Sequence, residues 1–197
     1  MKLYMSGNSP YARRARITIR EAKLQDQVEE VAINSFAELA SIGPGGKIPV
    51  LVTDSGLSIC ESLIITRYLN ELACTGLLPE GIRALESCFA LESTGSALMD
   101  SLFVRSFENN QRQEQTRSPI VLEREQERSK RCYDALEAIV RGEGKAVSVG
   151  TIAAIAALGY ADWRAPEDGW REGRPTLHAY YDRIMKRPAF ADTAPVF

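Results

Sequence analysis

Lys47-Ile-Pro-Val-Leu-Val-Thr-Asp-Ser-Gly-Leu-Ser-Ile-Cys-Glu-Ser62 is the stretch on which the fold turns. Ile48 to Val52 and Leu57 to Cys60 are short apolar runs, and Thr53-Asp54-Ser55-Gly56 between them is turn chemistry. The two runs therefore read as neighbouring strands of a hairpin. Pro49 sits oddly in the first of them: it has no N–H to give a ladder and marks an edge or an irregularity. From Glu61 onward Leu63, Ile64, Tyr68 and Leu72 recur at helical spacing, so a helix starts directly at the end of the hairpin and closes near Ala73.

Toward the N-terminus, Lys2 to Met5 is an apolar run. Ser9-Pro10 then pairs an N-cap with a proline at the first helical position, and Ala12, Ala15, Ile19 and Ala22 keep helical spacing. Val28 to Ile33 alternates as a strand and ends in Asn34-Ser35. A short helical piece from Phe36 to Ile42 follows and runs into Gly43-Pro44-Gly45-Gly46. The order β-α-β-α-β-β-α over residues 1–75 combines a βαβ crossover, which makes two strands parallel, with the hairpin. It predicts an α/β domain built on one small mixed sheet. Cys74 to Gly81, with Gly76, Pro79 and Gly81, reads as a boundary, and no strand signal follows it. Residues 82–197 are expected to form an all-α domain, with helices over about 82–110, 119–141, 148–160 and 175–186. No internal repeat is visible.

The chain has 197 residues, 45% of them hydrophobic, and 24 Lys+Arg against 26 Asp+Glu. That length supplies a core without staples. The near-balanced charge gives no electrostatic reason to seek nucleic acid or an anionic membrane. No apolar run approaches the roughly 20 residues that span a bilayer, and no signal-like segment leads the chain, so a cytoplasmic protein is expected. Cys60, Cys74, Cys88 and Cys132 form no C-x-x-C pair and have no histidine at ligand spacing; neither a metal site nor a redox dithiol is expected. His178 is the one imidazole. Arg13, Arg14, Arg16 and Arg20 crowd the first helix, where a solvated face with ion pairs is the ordinary expectation and an anion-binding patch the alternative.

Three motifs then fall in order. Asn8-Ser-Pro-Tyr-Ala-Arg-Arg-Ala-Arg16, Pro44-Gly-Gly-Lys-Ile-Pro-Val-Leu51 and Glu61-Ser-Leu-Ile-Ile-Thr-Arg-Tyr-Leu69 resemble, respectively, the S-P-[FY]-x-R-[KR], N-P-x-G-K-[VI]-P-x-L and [ED]-S-x-x-I-x-x-Y-L segments of bacterial cytosolic glutathione S-transferases. Ala157-Leu-Gly-Tyr-Ala-Asp-Trp-Arg164 and Arg174-Pro-x-Leu-x-x-Tyr180 extend the resemblance over nearly the whole chain. It implies a thioredoxin-like domain that binds glutathione as co-substrate and a helical domain that binds a small electrophile. It also implies a homodimer and a role in detoxification.

Glutathione carries an amine and a carboxylate on its γ-glutamyl end, a thiol, and a second carboxylate on glycine. A helix N-terminus offers free N–H groups and positive potential to an anion, and Ser62 lies in the first turn of its helix. By the resemblance, Ser62 holds the γ-glutamyl carboxylate, Glu61 faces the amine, Lys47 reaches the glycyl carboxylate, and Ile48 pairs its backbone with the cysteinyl unit next to a cis-proline. Taken alone, Glu61-Ser62 reads first as a capping pair, a preference that the other motifs reverse, and Lys47 has the alternative of a solvated loop lysine. The thiol ordinarily has a pKa of about 8.5, so a donor to sulfur is needed to make thiolate at neutral pH. Ser9 is the candidate, against the competing role of capping its own helix. Asn8 is a rival donor. Tyr4 falls inside a strand and is expected to pack, and Cys60 to be buried. No cysteine stands at the Ser9 region, which argues against mixed-disulfide chemistry.

Tyr11, Met99 and Phe103 are candidate walls of the electrophile site, and Asp100 matches a position that in some relatives reaches the partner subunit's glutathione. Ser148-Val-Gly-Thr151 has threonine where relatives carry the aspartate of a capping box, so the bond back to the cap is expected to be weak or missing. The resemblance also allows a glutathione-dependent peroxidase or isomerase. A non-catalytic interaction protein on the same fold, as in the stringent starvation protein, is a further alternative.

Overall fold

The computed structural model describes every residue except Asn34, Lys145 and Phe197, and at Phe36 the backbone alone. Strand β1 (Lys2–Met5) leads to helix α1 (Pro10–Glu21), β2 (Glu29–Ala32) and α2 (Phe36–Ile42). The hairpin β3 (Val50–Val52) and β4 (Ser58–Ile59) and helix α3 (Ser62–Ala73) follow. The sheet order is β2-β1-β3-β4, with β1 parallel to β2 and antiparallel to β3, and β3 antiparallel to β4. This is the mixed sheet expected. Strand β3 starts two residues later than the apolar run suggests, since Pro49 has no N–H to give the ladder; the Ile48–Pro49 peptide is cis. Of the Asn34-Ser35 pair, Asn34 lies outside the described residues.

The rest is helical: α4 (Ile82–Gln111), α5 (Pro119–Val140), α6 (Val149–Arg164), α7 (Pro175–Met185) and α8 (Pro188–Ala191), with 3₁₀ turns at Glu114–Thr116 and Pro166–Asp168. Helix α6 runs one turn further than its sequence pattern suggests, and α8 and the two 3₁₀ turns were not foreseen. Every residue of α6 from Val149 to Ala161 is buried. A helix this apolar on all sides belongs in the middle of a bundle. It packs closely on α4 because glycines leave room: a Cβ on Gly95 would stand 2.8 Å from the Ala154 nitrogen, and one on Gly150 2.4 Å from the Cys88 carbonyl.

Helix α1 joins two cores. Ala15 and Ile19 pack with Leu3, Leu51, Ile65 and Leu69 on the sheet. Ile17 packs instead with Leu98, Met99, Ile155 and Phe190 of the helical part. With apolar partners on two sides, α1 has little solvated face, and this corrects the expectation for its arginines. Arg13 and Arg14 are each only 2% exposed. Arg13 donates to the carbonyls of Ile155 (3.4 Å) and Phe190 (3.0 Å), and room for its guanidinium comes from Gly159, where a Cβ would stand 2.1 Å from Nη1. Burial pulls both guanidinium groups below their ordinary pKa. Arg16 and Arg20 do form ion pairs, both with Glu30 on β2.

The expectation for Thr151 is also overturned. The capping box of α6 is complete: Thr151 N–H donates to Ser148 Oγ at 3.2 Å, and Ser148 N–H donates to Thr151 Oγ1 at 3.2 Å. A hydroxyl reaches the cap here because Thr151 is wholly buried, and Tyr180 Oη, donating to the same oxygen at 2.9 Å, holds it in place. Among the described residues no helix is long and apolar enough to cross a membrane, and no cluster of His, Cys, Asp and Glu could hold a metal.

Candidate functional site

The register of the sheet brings the expected residues to one end of it. Tyr4 of β1 pairs with Val50, and Leu51 with Ile59. The loop leaving β1 (Ser6 to Ser9), the loop entering β3 (Lys47 to Pro49) and the chain leaving β4 (Cys60 to Ser62) therefore all emerge at the same end of the sheet. Two helices, α1 and α3, begin there with their N-termini.

The two N-termini are built differently. Ser9 caps α1, accepting the Ala12 N–H on Oγ at 3.2 Å. Capping and donation were expected to compete for this hydroxyl, but they do not conflict: the bond uses an oxygen lone pair, and a hydroxyl keeps its proton for another acceptor. At α3 the N-cap is Glu61, whose side chain makes no capping bond and whose backbone is held at φ 67°, ψ 112°. Left-handed backbone is costly for a residue with a Cβ, and such outliers cluster where a fold holds a ligand. The side chain of Ser62 is nearly buried, and its hydroxyl bonds to no described residue. Glu61 and Lys47 are exposed, and neither forms an ion pair with a described residue. The start of α3 thus lies at an end of the sheet that also carries Lys47, Glu61 and the hydroxyls of Ser9 and Ser62, neither charge being paired with a described residue.

The first 70 or so residues carry the family signature directly: residues 8–72 match the glutathione S-transferase N-terminal domain. An uncharacterized GST-like protein of Escherichia coli strain K12, YibF, is 31% identical over 200 residues, covering 99% of this chain and 98% of its own. The chain belongs to the glutathione S-transferase family. Among solved structures, a glutathione transferase family member from Pseudomonas fluorescens Pf-5 with bound glutathione superposes with a TM-score of 0.95 at 27% identity, covering 100% of this chain and 99% of that one. A glutathione S-transferase from Methylobacillus flagellatus KT, also with glutathione bound, gives 0.91 at 28% identity and 99% coverage of both.

In this glutathione S-transferase family member the flank of the site is aromatic. Tyr11, on the first turn of α1, donates its phenol to Asp100 Oδ1 at 2.7 Å and meets Phe103 edge to face with ring centres 6.0 Å apart. Burial, and then the hydrogen bond to Asp100, push the Tyr11 phenol well above its usual pKa. It stays neutral and committed to Asp100. Phe107 continues the array at 6.5 Å from Phe103, and both phenylalanines are nearly half exposed. Met99 is corrected: it is fully buried in the helical core and walls no site. Cys60 is half-buried rather than buried, with its sulfur set close to Gly43. The side chain of Asn8 turns to the C-terminal tail, a partner 188 residues away that nothing in the local sequence signals.

Proposed function

We propose that the protein is a glutathione transferase that binds glutathione at this end of the sheet, converts its thiol to thiolate and adds it to a small electrophile. The observation that carries this reading is α3's open N-terminus, where Glu61 holds left-handed backbone without capping and the hydroxyl of the nearly buried Ser62 has no described partner. Ser62 and the first N–H groups of α3 receive the γ-glutamyl carboxylate, Glu61 its amine, and Lys47 the glycyl carboxylate. The Ile48 backbone, ahead of cis-Pro49, pairs with the cysteinyl unit. Residues 1–75 form the glutathione-binding domain and residues 82–197 the domain that completes the electrophile site.

Ser9 acts on the thiol. Its oxygen accepts the Ala12 N–H and its proton remains free to donate, which stabilises the anion on sulfur. Lowering a thiol pKa of about 8.5 by about two units makes thiolate the major form at neutral pH. The thiol proton leaves to solvent water, the sulfur attacks the electrophilic carbon, the leaving group departs with the bonding pair or the addition product takes a proton from water, and Ser9 keeps its own proton throughout. Tyr11 is not the activating group, because its phenol is spent on Asp100. Tyr11, Phe103 and Phe107 give the electrophile an apolar wall.

A homodimer fits the exposed side chains of α3 and α4. Ile64 and Phe89 are 49% and 44% exposed, and the Arg67 guanidinium lies over the Phe89 ring at 5.7 Å. Arg67 is itself anchored by two bonds to the buried Glu92. Light scattering checks the assembly. For the function, melting with millimolar glutathione is decisive: stabilisation is expected through preferential binding to the folded state. No shift, together with no retention on immobilised glutathione, moves the chain to the non-catalytic interaction proteins of this fold.

A further inference from the structure

The loop that presents Ser9 is tied to the opposite end of the chain. Asn8 donates from Nδ2 to the Val196 carbonyl at 2.9 Å and accepts the Val196 N–H on Oδ1 at 3.1 Å. These two bonds fix the orientation of the amide completely. The Val196 side chain is 82% exposed, so the contact belongs to the backbone of the tail and not to its side chain. Behind the clasp the tail is well rooted. Buried Thr193 donates to the Ala189 carbonyl at 2.9 Å, and the Phe190 carbonyl accepts Arg13 Nη2 at 3.0 Å, one turn along α1 from Ser9.

The tethers of Ser6 and Gly7 are longer, while Ser9 is held to α1 by the Arg13 N–H, which donates to its carbonyl at 2.9 Å, and by the Ala12 N–H on Oγ at 3.2 Å. Ser9 N–H reaches the Ser6 carbonyl at 3.3 Å, and Arg16 Nη1 reaches the Gly7 carbonyl at 3.3 Å. Gly7 stands in open space, with nothing within 4 Å of where a Cβ would be, so packing does not hold the loop there. Ahead of Ser9, whose own carbonyl is already bonded into α1, the Asn8 clasp supplies the shortest bonds of the loop that leads to the proposed thiol donor.

We propose that Asn8 is a positioning residue and that the C-terminal tail is a strap: by gripping the Val196 backbone, Asn8 fixes the loop from which Ser9 addresses the glutathione thiol. This rests on the reading of Ser9 given above. It also turns the Asn8 amide to the tail, away from service as a thiol donor in its own right. Both bonds face solvent, so the strap opens more readily than the core unfolds, and the geometry of Ser9 depends on a local equilibrium.

The test compares Asn8→Ala, a chain ending at Ala194, and the two changes together. Each is expected to raise the apparent pKa of the bound thiol and to lower kcat/KM for a model electrophile about three- to tenfold at pH below that pKa. The rates should converge at alkaline pH. KM for glutathione should stay where it is, since Ser62 and Lys47 are untouched. The double variant should match either single one, because both remove the same clasp. Additive losses, an unmoved pH profile, or a change confined to KM overturns the proposal. A readout without glutathione separates it from the wider functional reading: amide exchange at Ala12, whose N–H is held by Ser9 Oγ, should quicken in the folded variants. If the unaltered protein fails to bind glutathione, the functional reading falls, and exchange at Ala12 still decides the strap. Faster exchange supports it and unchanged exchange overturns it.

Discussion

Three helices in this molecule start in three different ways. Helix α6 begins with a full capping box, Ser148 and Thr151 each bonding the other's backbone, and Tyr180 locks the arrangement from behind. Helix α1 has half of such a cap: Ser9 accepts one N–H and retains a proton. Helix α3 has none, and its N-cap residue is held in left-handed backbone. The unmet donors of a helix end cost free energy unless something satisfies them. In the proposed reading the sealed end belongs to the core, the half-sealed end of α1 to the thiol and the open end of α3 to an anion; the cap alone does not assign these roles, since α2 and α5 are half-capped like α1 and α4 has no side-chain cap.

Substitutions that act on one end at a time break or sharpen this ordering. The largest effect is expected for Ser9→Ala: kcat/KM at slightly acid pH falls about 100-fold, the factor by which a two-unit rise in thiol pKa depletes the thiolate. KM for glutathione changes little, and the deficit closes above the free thiol's pKa. The same variant loses about 1 kcal/mol of stability with its cap. Thr151→Val comes next. It removes both the reciprocal bond and the acceptor of the buried Tyr180 hydroxyl, and denaturant melts should show a loss of about 2 kcal/mol with kinetics unchanged. Tyr180, whose pKa burial has pushed up to about 12, stays protonated in this comparison. Ser62→Ala is the inverse case. Its hydroxyl bonds to no described residue, so stability should hold while glutathione binds about tenfold more weakly, the size of one lost charge-assisted bond.

The smallest effect concerns the rear of α1. Burial would raise the Glu30 carboxyl, but the hydrogen bonds from Arg20 and Arg16 outweigh it and its pKa lies below the ordinary value. A depressed folded-state pKa contributes stability above the unfolded value and loses it as pH falls through the folded value. Glu30→Gln should therefore lower the melting temperature at neutral pH, by the equivalent of about 1 kcal/mol or less, and the difference should fade on acidification.

Much of this was legible in the sequence where the signal is local. Ser9-Pro10 marks the start of α1, Thr53 to Gly56 the hairpin turn, and Pro49 in a strand pattern an irregularity that the structure shows as a cis peptide. Glu61-Ser62 was placed at a helix start, but whether it capped that helix or left it open depends on backbone angles that residue types do not encode. What failed to show was set by distant neighbours. Arg13 reads as surface because it is charged, yet its partners are carbonyls at 155 and 190, and the space it fills is left by Gly159. Thr151 reads as a poor box residue until Tyr180 is brought against it. Met99 reads as a pocket wall until α6 covers it, and Asn8 as a thiol donor until the tail arrives.

Calorimetric titration of glutathione into the protein and into Ser62→Ala puts the central claim to the most direct test, since α3's open end is where ligand and fold are held to meet. Saturable binding to the unaltered protein, about tenfold weaker in the variant at an unchanged melting temperature, is the predicted result. Equal affinity in both proteins, or no binding in either, would contradict it.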